Sequence, residues 1–228
     1  AAPNGAAASF AFLGIVYAGF RATPLNLLAG VKTLSFVLNH SKAEMVLCAD
    51  DSRALVDKAV AGLVKIGKKA PRIISMNIDD GPRWAETKII PVKPIELQAP
   101  SGNTTGLLMY TSGTTGVPKG VLLSHANLIA AGTNVEVAHK LIPLDIGLCI
   151  LPIYHINGLC VTVMGTLVSS SSLVMPRRFS ARLFWPQMHK FKCSWFSAVP
   201  TLFAYLLNDD AKPVLDSDRL RFARSASA

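Results

Sequence analysis

Acidic residues are scarce in this chain: 14 Asp and Glu stand against 23 Lys and Arg, a formal net charge of +9 over 228 residues. Such an imbalance suits polyanionic partners. A run of five or more basic residues is nevertheless missing, and its absence argues against a nucleic-acid-binding arm. The four cysteines, Cys48, Cys149, Cys160 and Cys193, are widely separated. They form no C-x-x-C pair and no zinc-finger spacing, so they are expected to be buried free thiols of a reducing, cytoplasmic environment. Charged residues make up only 16% and hydrophobic ones 50%, which excludes global disorder and allows a substantial core.

Clean spanning segments are absent as well. Gly5 to Phe20 is apolar but short, and lacks a basic leader. Ile156 to Met175 is uncharged, yet Asn157, Gly158, Gly165 and Ser169 to Ser172 interrupt it. A buried helix, a serine turn and a buried strand account for it, and no integral membrane span is expected. The chain has no initiating methionine. It opens in an apolar helical pattern and stops at Ala228, so it reads as a piece of something longer.

What is present is an alternation of β-rich and helical runs. Helices are predicted over Leu28–Leu38, from Asp50 or Asp51 with Leu55, Ala59, Leu63 and Ile66 on the apolar face, over Ser124–Ala138, after His155, from Ser180 to Phe191 with a kink or a shortening at Pro186, and over Thr201–Leu207. Strands are predicted at Glu44–Cys48, Arg72–Met76, Thr105–Tyr110, Val121–Leu123, Leu148–Leu151, Ser171–Met175, Ser194–Val199 and Leu220–Arg224. The segment from Asp79 to Asn103, with Pro82, Pro91, Pro94 and Pro100, reads as a surface connection. The pattern predicts an α/β fold with mostly parallel β-sheets covered by helices, divided into portions 1–103 and 104–228.

The chemistry concentrates in Tyr110 to Gly120, YTSGTTGVPKG, where Thr111, Ser112, Thr114 and Thr115 accompany Gly113, Gly116, Gly120 and Lys119. Glycines let backbone N–H groups converge on an anion, hydroxyls add rotatable donors, and the lysine adds a point charge. This is a cradle for a polyphosphate. It is not the common P-loop, because Gly116 is followed by Val-Pro-Lys and the next helix begins only near Ser124.

YTSGTTGVPKG resembles the signature of the adenylate-forming enzymes: acyl-CoA synthetases, peptide-synthetase adenylation domains and luciferases. Further stretches resemble the same family in the same order: VYAGFRATPLN at Val16–Asn26, LPIYHINGL at Leu151–Leu159, FSAVPTL at Phe196–Leu202 and LRFARSASA at Leu220–Ala228. The resemblance covers essentially the whole chain, is nearest to acyl-CoA synthetases, and implies part of the family's large N-terminal domain. It implies that Thr111, Ser112, Gly113, Thr114, Thr115, Gly116 and Lys119 hold the phosphates of ATP. It implies that His155 positions the carboxylate and ATP, and that Ser227 and Ala228 fall in the loop against adenine. Asn157 could line the acyl pocket or simply start a helix. Arg177, followed by Arg178, could meet the phosphates of coenzyme A or be part of a solvated pair.

The implied reactants are a carboxylic acid, ATP with Mg2+, and coenzyme A. A carrier-protein thiol as acceptor is a second reading. The third is a nucleotide-binding or interaction module without turnover, because the family's Y-G-x-T-E motif and C-terminal lysine do not occur among these residues. On the resemblance, the 228 residues alone are expected to be inactive. Apolar lining suits fatty and aromatic acids alike.

Overall fold

The computed structural model describes residues 1–83, 98–111, 117–208 and 219–226. These fall into two compact units, Ala1–His125 and Ala126–Ala228. The expected division lay at 103/104. The hairpin that follows it joins the first unit, because Ala22 is clamped alongside Leu107: the Ala22 amide donates to Gly106 O at 2.8 Å and the Leu108 amide to Ala22 O at 2.8 Å.

The first unit begins with α1 (Ala6–Tyr17) and α2 (Gly30–Ser41), followed by β1 (Met45–Ala49), α3 (Arg53–Lys65), β2 (Arg72–Asn77) and the short β3 (Gly81–Pro82). Strands β1 and β2 pair in parallel, and β3 turns back antiparallel on β2. Leu34, Val37 and Leu38 of α2 and Val56, Ala59 and Leu63 of α3 form one core with Val46 and Cys48 of β1. The start of α3 differs from the sequence expectation. Asp50–Ser52 form a 3-10 turn, Ser52 occupies the cap position, and no side chain caps the helix. The buried stripe is therefore Val56–Ala59–Leu63, and Ile66, lying past the last turn, is exposed. The apolar Gly5–Phe20 stretch yields a twelve-residue helix. No helix among the described residues is long and apolar enough to cross a membrane. Of the connection from Asp79 to Asn103, residues 84–97 lie outside the described residues.

An antiparallel hairpin completes this unit: β4 (Thr105–Thr111) and β5 (Lys119–Ser124), with Thr111 opposite Lys119 at the end nearest the connecting residues.

The second unit carries α4 (His125–His139), whose first residue belongs to the preceding unit, and then β6 (Ile146–Cys149). A π-helix over Asn157–Met164 runs on into α5 (Gly165–Val168). The remaining elements are β7 (Ser172–Val174), α6 (Ala181–Lys190), β8 (Trp195–Ala198), α7 (Pro200–Leu207) and β9 (Phe222–Ser225). The four strands are all parallel, in the order β7-β6-β8-β9. Ser169–Ser172 form the expected break, with Ser170 in the left-handed region at φ 54°. Ser180 stands at the cap of α6 in an extended conformation but makes no side-chain cap bond. The helix continues through Pro186 to Lys190, so the shortening expected there does not occur, although the proline has no amide to bond the carbonyl one turn earlier.

Alternation along the strands assigns the two faces of the sheet. Leu148 and Phe196 are opposite one another and pack under Phe184 and Met188 of α6. The next row, Cys149, Ser197 and Arg224, lies on the other face. The π-helix packs against β6 and β8, and its Thr162 hydroxyl reaches Cys149 Sγ at 2.9 Å. All four cysteines are buried free thiols, as the sequence predicts.

The sheet is pinned at its amino-terminal edge by Asp145, which is 2% exposed. Its carboxylate pairs with the Arg221 guanidinium. It also accepts from Ser194 Oγ at 2.7 Å and from the Ile142 amide at 2.9 Å. Burial alone would raise the carboxyl pKa, but the hydrogen bonds from Arg221, Ser194 and Ile142 together outweigh it and hold the group below its ordinary 3.8. A depressed folded-state pKa means that this stabilisation is fully present above the unfolded value and is lost as pH falls through the folded one. Asp145→Asn is expected to cost about 2 kcal/mol at neutral pH, typical of hydrogen bonds to a charged group. The same substitution should flatten the acid limb of stability, which denaturant melts between neutral pH and pH 3 would measure.

Candidate active site

Candidate site residues occur in both units. In the first, β4 and β5 form a stalk for the glycine- and hydroxyl-rich string. Leu107, Leu108 and Met109 of β4 are buried, whereas Thr111 and Lys119 at the tip are exposed. The base of the tip is fixed by Tyr110, whose hydroxyl lies 2.8 Å from His40 Nδ1. The Tyr110 ring also meets Phe36 edge-on at 6.5 Å. Burial pushes the Tyr110 phenol up despite the opposing pull of Arg21, so it stays protonated and can hold its bond to α2. The structure thus presents Thr111 and Lys119 side by side where the loop leaves the sheet. Ser112, Gly113, Thr114, Thr115 and Gly116 lie outside the described residues.

In the second unit the parallel sheet gathers functional candidates at one edge, because every strand ends on the same side. His155 follows β6, Arg177 and Arg178 follow β7, the V-P-T segment follows β8, and Ser227 and Ala228, outside the described residues, follow β9. The chain runs from β6 to β7 on one side and then crosses to β8 on the other, so strand order reverses at β6. In open α/β sheets that reversal opens a crevice at the carboxyl ends of the strands.

His155 sits in a tight turn. Its amide donates to Pro152 O at 3.1 Å, and its carbonyl accepts from the Leu159 amide at 3.0 Å. The exposed imidazole packs on Tyr154, with ring centroids 4.7 Å apart. Desolvation lowers its pKa, so the ring is neutral at physiological pH and can both donate and accept a hydrogen bond.

Gly158 is what allows this turn. A Cβ there would meet the Leu151 carbonyl oxygen at 2.8 Å and the Pro152 carbonyl carbon at 2.7 Å, both rigid backbone. Gly158→Ala is expected to cost about 3 kcal/mol, the upper range for overpacking. Thermal unfolding of the full-length protein would register the loss, and a shift within error of zero would show that the turn gives way.

Asn157 is buried, 6% exposed, and is more than a helix start. Its Oδ1 accepts from Ser197 Oγ at 3.0 Å and from Arg224 Nη1 at 3.3 Å. Arg177 is exposed past the end of β7. Ser197 and Arg224 were not singled out by sequence reasoning. The available signal was a hydroxyl and a cation set into the otherwise apolar strands FSAV and LRFA. No cluster of three His, Cys, Asp or Glu occurs among the described residues, so these supply no metal site of their own.

The second unit's parallel sheet with its strand-order reversal, and the first unit's hairpin ending at Thr111 and Lys119, define an α/β protein. Comparison with known proteins makes this specific. The chain belongs to the AMP-binding enzyme family, whose model matches residues 1–228. It is 43% identical to the sulfoacetate–CoA ligase of Cupriavidus necator, over 99% of this chain and 43% of that protein. It is 31% identical to the oxalate–CoA ligase of Arabidopsis thaliana, over 99% of this chain and 44% of that protein. Among solved structures it superposes on ATP-bound MatB from Rhodopseudomonas palustris with a TM-score of 0.80 at 25% identity, covering 97% of this chain and 42% of that one. The chain therefore spans less than half the length of these relatives.

Proposed function

We propose that this chain carries the phosphate-binding and acid-binding portion of an AMP-forming acid–CoA ligase. In the first half-reaction a carboxylate oxygen attacks the α-phosphorus of ATP and pyrophosphate leaves, giving an acyl adenylate. In the second the sulfur of coenzyme A attacks the acyl carbon, the thiol proton is released and AMP departs. The chemical obstacle is that a carboxylate is anionic and a poor electrophile, so donors must offset repulsion between anions.

Thr111, Ser112, Gly113, Thr114, Thr115 and Gly116 supply phosphate donors in this reading, and Lys119 supplies the charge. His155 orients the carboxylate against ATP as a neutral hydrogen-bonding group. Ser227 and Ala228 fall against adenine, and Arg177 is the candidate for the phosphates of coenzyme A. Magnesium would arrive with the nucleotide phosphates. The buried thiols, with Cys149, Cys160 and Cys193 pushed up to about 11 by burial, suit a cytoplasmic setting.

The observation that carries the reading is the pairing of Thr111 with Lys119 at the mouth of the signature hairpin. Coenzyme A is favoured over a carrier-protein thiol because the relatives above are CoA ligases. The test is a panel of carboxylic acids offered to the full-length protein with ATP and coenzyme A. Acid-dependent release of AMP and pyrophosphate with loss of free thiol is expected. Release of ADP and phosphate, or thiol transfer confined to a carrier protein, would overturn it.

A further inference from the structure

At the crevice edge of the second unit, one charge is left without a counter-charge. Arg224 lies on β9 opposite Ser197 of β8, which in turn lies opposite Cys149 of β6. Its Nη1 donates to Ser197 Oγ at 3.2 Å and to Asn157 Oδ1 at 3.3 Å. Ser197 is fully buried, and its hydroxyl donates to the same Asn157 oxygen at 3.0 Å. Both partners are neutral. Among the described residues no carboxylate forms an ion pair with Arg224. The adjacent imidazole, His139, offers no compensation: desolvation first and the charge of Arg224 second push its pKa down.

A half-buried guanidinium fixed on one side by a serine and an asparagine is costly unless something anionic completes it. The two neutral partners use only Nη1, and among the described residues Nε and Nη2 have no partner. Those two groups form the planar fork that matches a carboxylate or sulfonate. Asn157 ties the cluster to the reaction centre, since it stands two residues after His155 at the start of the π-helix. Irregular helical turns of this kind recur at functional sites.

We propose that Arg224, held by Asn157 and Ser197, binds a second acidic group on the substrate, so that the acid activated is a short one bearing two anionic groups. The proposal rests on the ligase reading above and narrows its substrate class. A fatty or aromatic monoacid would leave the half-buried guanidinium without a counter-charge. A second carboxylate or sulfonate one or two bonds from the reacting carboxylate would neutralise it.

The test uses the full-length protein with sulfoacetate, oxalate and malonate as two-anion acids and propionate as the singly charged control. The wild type should favour at least one two-anion acid over propionate. In Arg224→Met the ratio of kcat/KM for that acid to kcat/KM for propionate should fall roughly 30-fold, the scale of a lost charged hydrogen-bond pair. The fall should reside in KM for the acid and not in KM for ATP. Arg224→Lys should restore part of the ratio. Comparing sulfoacetate with malonate tells whether the second group is a sulfonate or a carboxylate. A wild type that prefers propionate overturns the proposal, as does an equal loss for all acids in Arg224→Met, which would mark a structural residue. In both cases ligation persists and the parent reading stands. Absence of ligation with every acid would overturn both.

Discussion

Replacing His155 by alanine in the full-length protein should lower acid-dependent pyrophosphate exchange about 100-fold, the usual consequence of losing alignment between two bound reactants. The geometry makes this a local effect. The His155 side chain makes no hydrogen bond to the described residues and contacts chiefly Tyr154, while its backbone is held by Pro152 and Leu159. Alanine keeps those backbone bonds, so thermal stability should change little while turnover collapses. His155→Gln retains a neutral group able to donate and accept, and should recover part of the rate. The lowered pKa also predicts a shallow pH dependence above neutrality, because the imidazole is already neutral there. Full activity of the alanine variant would remove His155 from the site.

Lys119→Ala should raise KM for ATP and reduce kcat/KM about 100-fold, on the order expected when a charge-assisted contact to phosphate is lost. Lys119 is the first residue of β5, exposed and paired with Thr111, so its truncation leaves the buried part of the hairpin intact. Lys119→Arg keeps the charge but alters its shape, and should fall between the two. Exchange kinetics at varied ATP separate this defect from that of His155→Ala, which should act mainly at saturating ATP. Unchanged KM for ATP in Lys119→Ala would falsify the phosphate assignment of the hairpin tip.

Sequence alone singles out these two residues because each belongs to a string whose chemistry is contiguous in the chain. The alternation of strands and helices was legible for the same reason. Leu148–Phe196 packing under α6, for example, needs only apolar side chains on alternate strand positions. The Arg224 cluster was not legible. Arg224 meets Asn157 and Ser197 across 67 and 27 residues, and only the strand order β6-β8-β9 makes them neighbours. The π-helix escaped notice too, since an apolar run fixes burial but not the hydrogen-bond register. At α3, the expected cap at Asp50 or Asp51 gives way to a 3-10 turn, with Ser52 at the cap position and Arg53 the first helical residue.

The pinning of the sheet by Asp145 has a consequence for how the protein is made. Its cationic partner Arg221 lies 76 residues downstream. While the chain is being synthesised, β6, β7 and β8 emerge before that arginine exists outside the ribosome. A sheet closing early would bury the Asp145 carboxylate without its charge partner, at a cost comparable to an unpaired buried ion. Docking of β9 supplies that partner. The segment that brings Arg221 also brings Arg224 three residues later, so the docking of β9 both pairs the Asp145 carboxylate and delivers the proposed recognition residue.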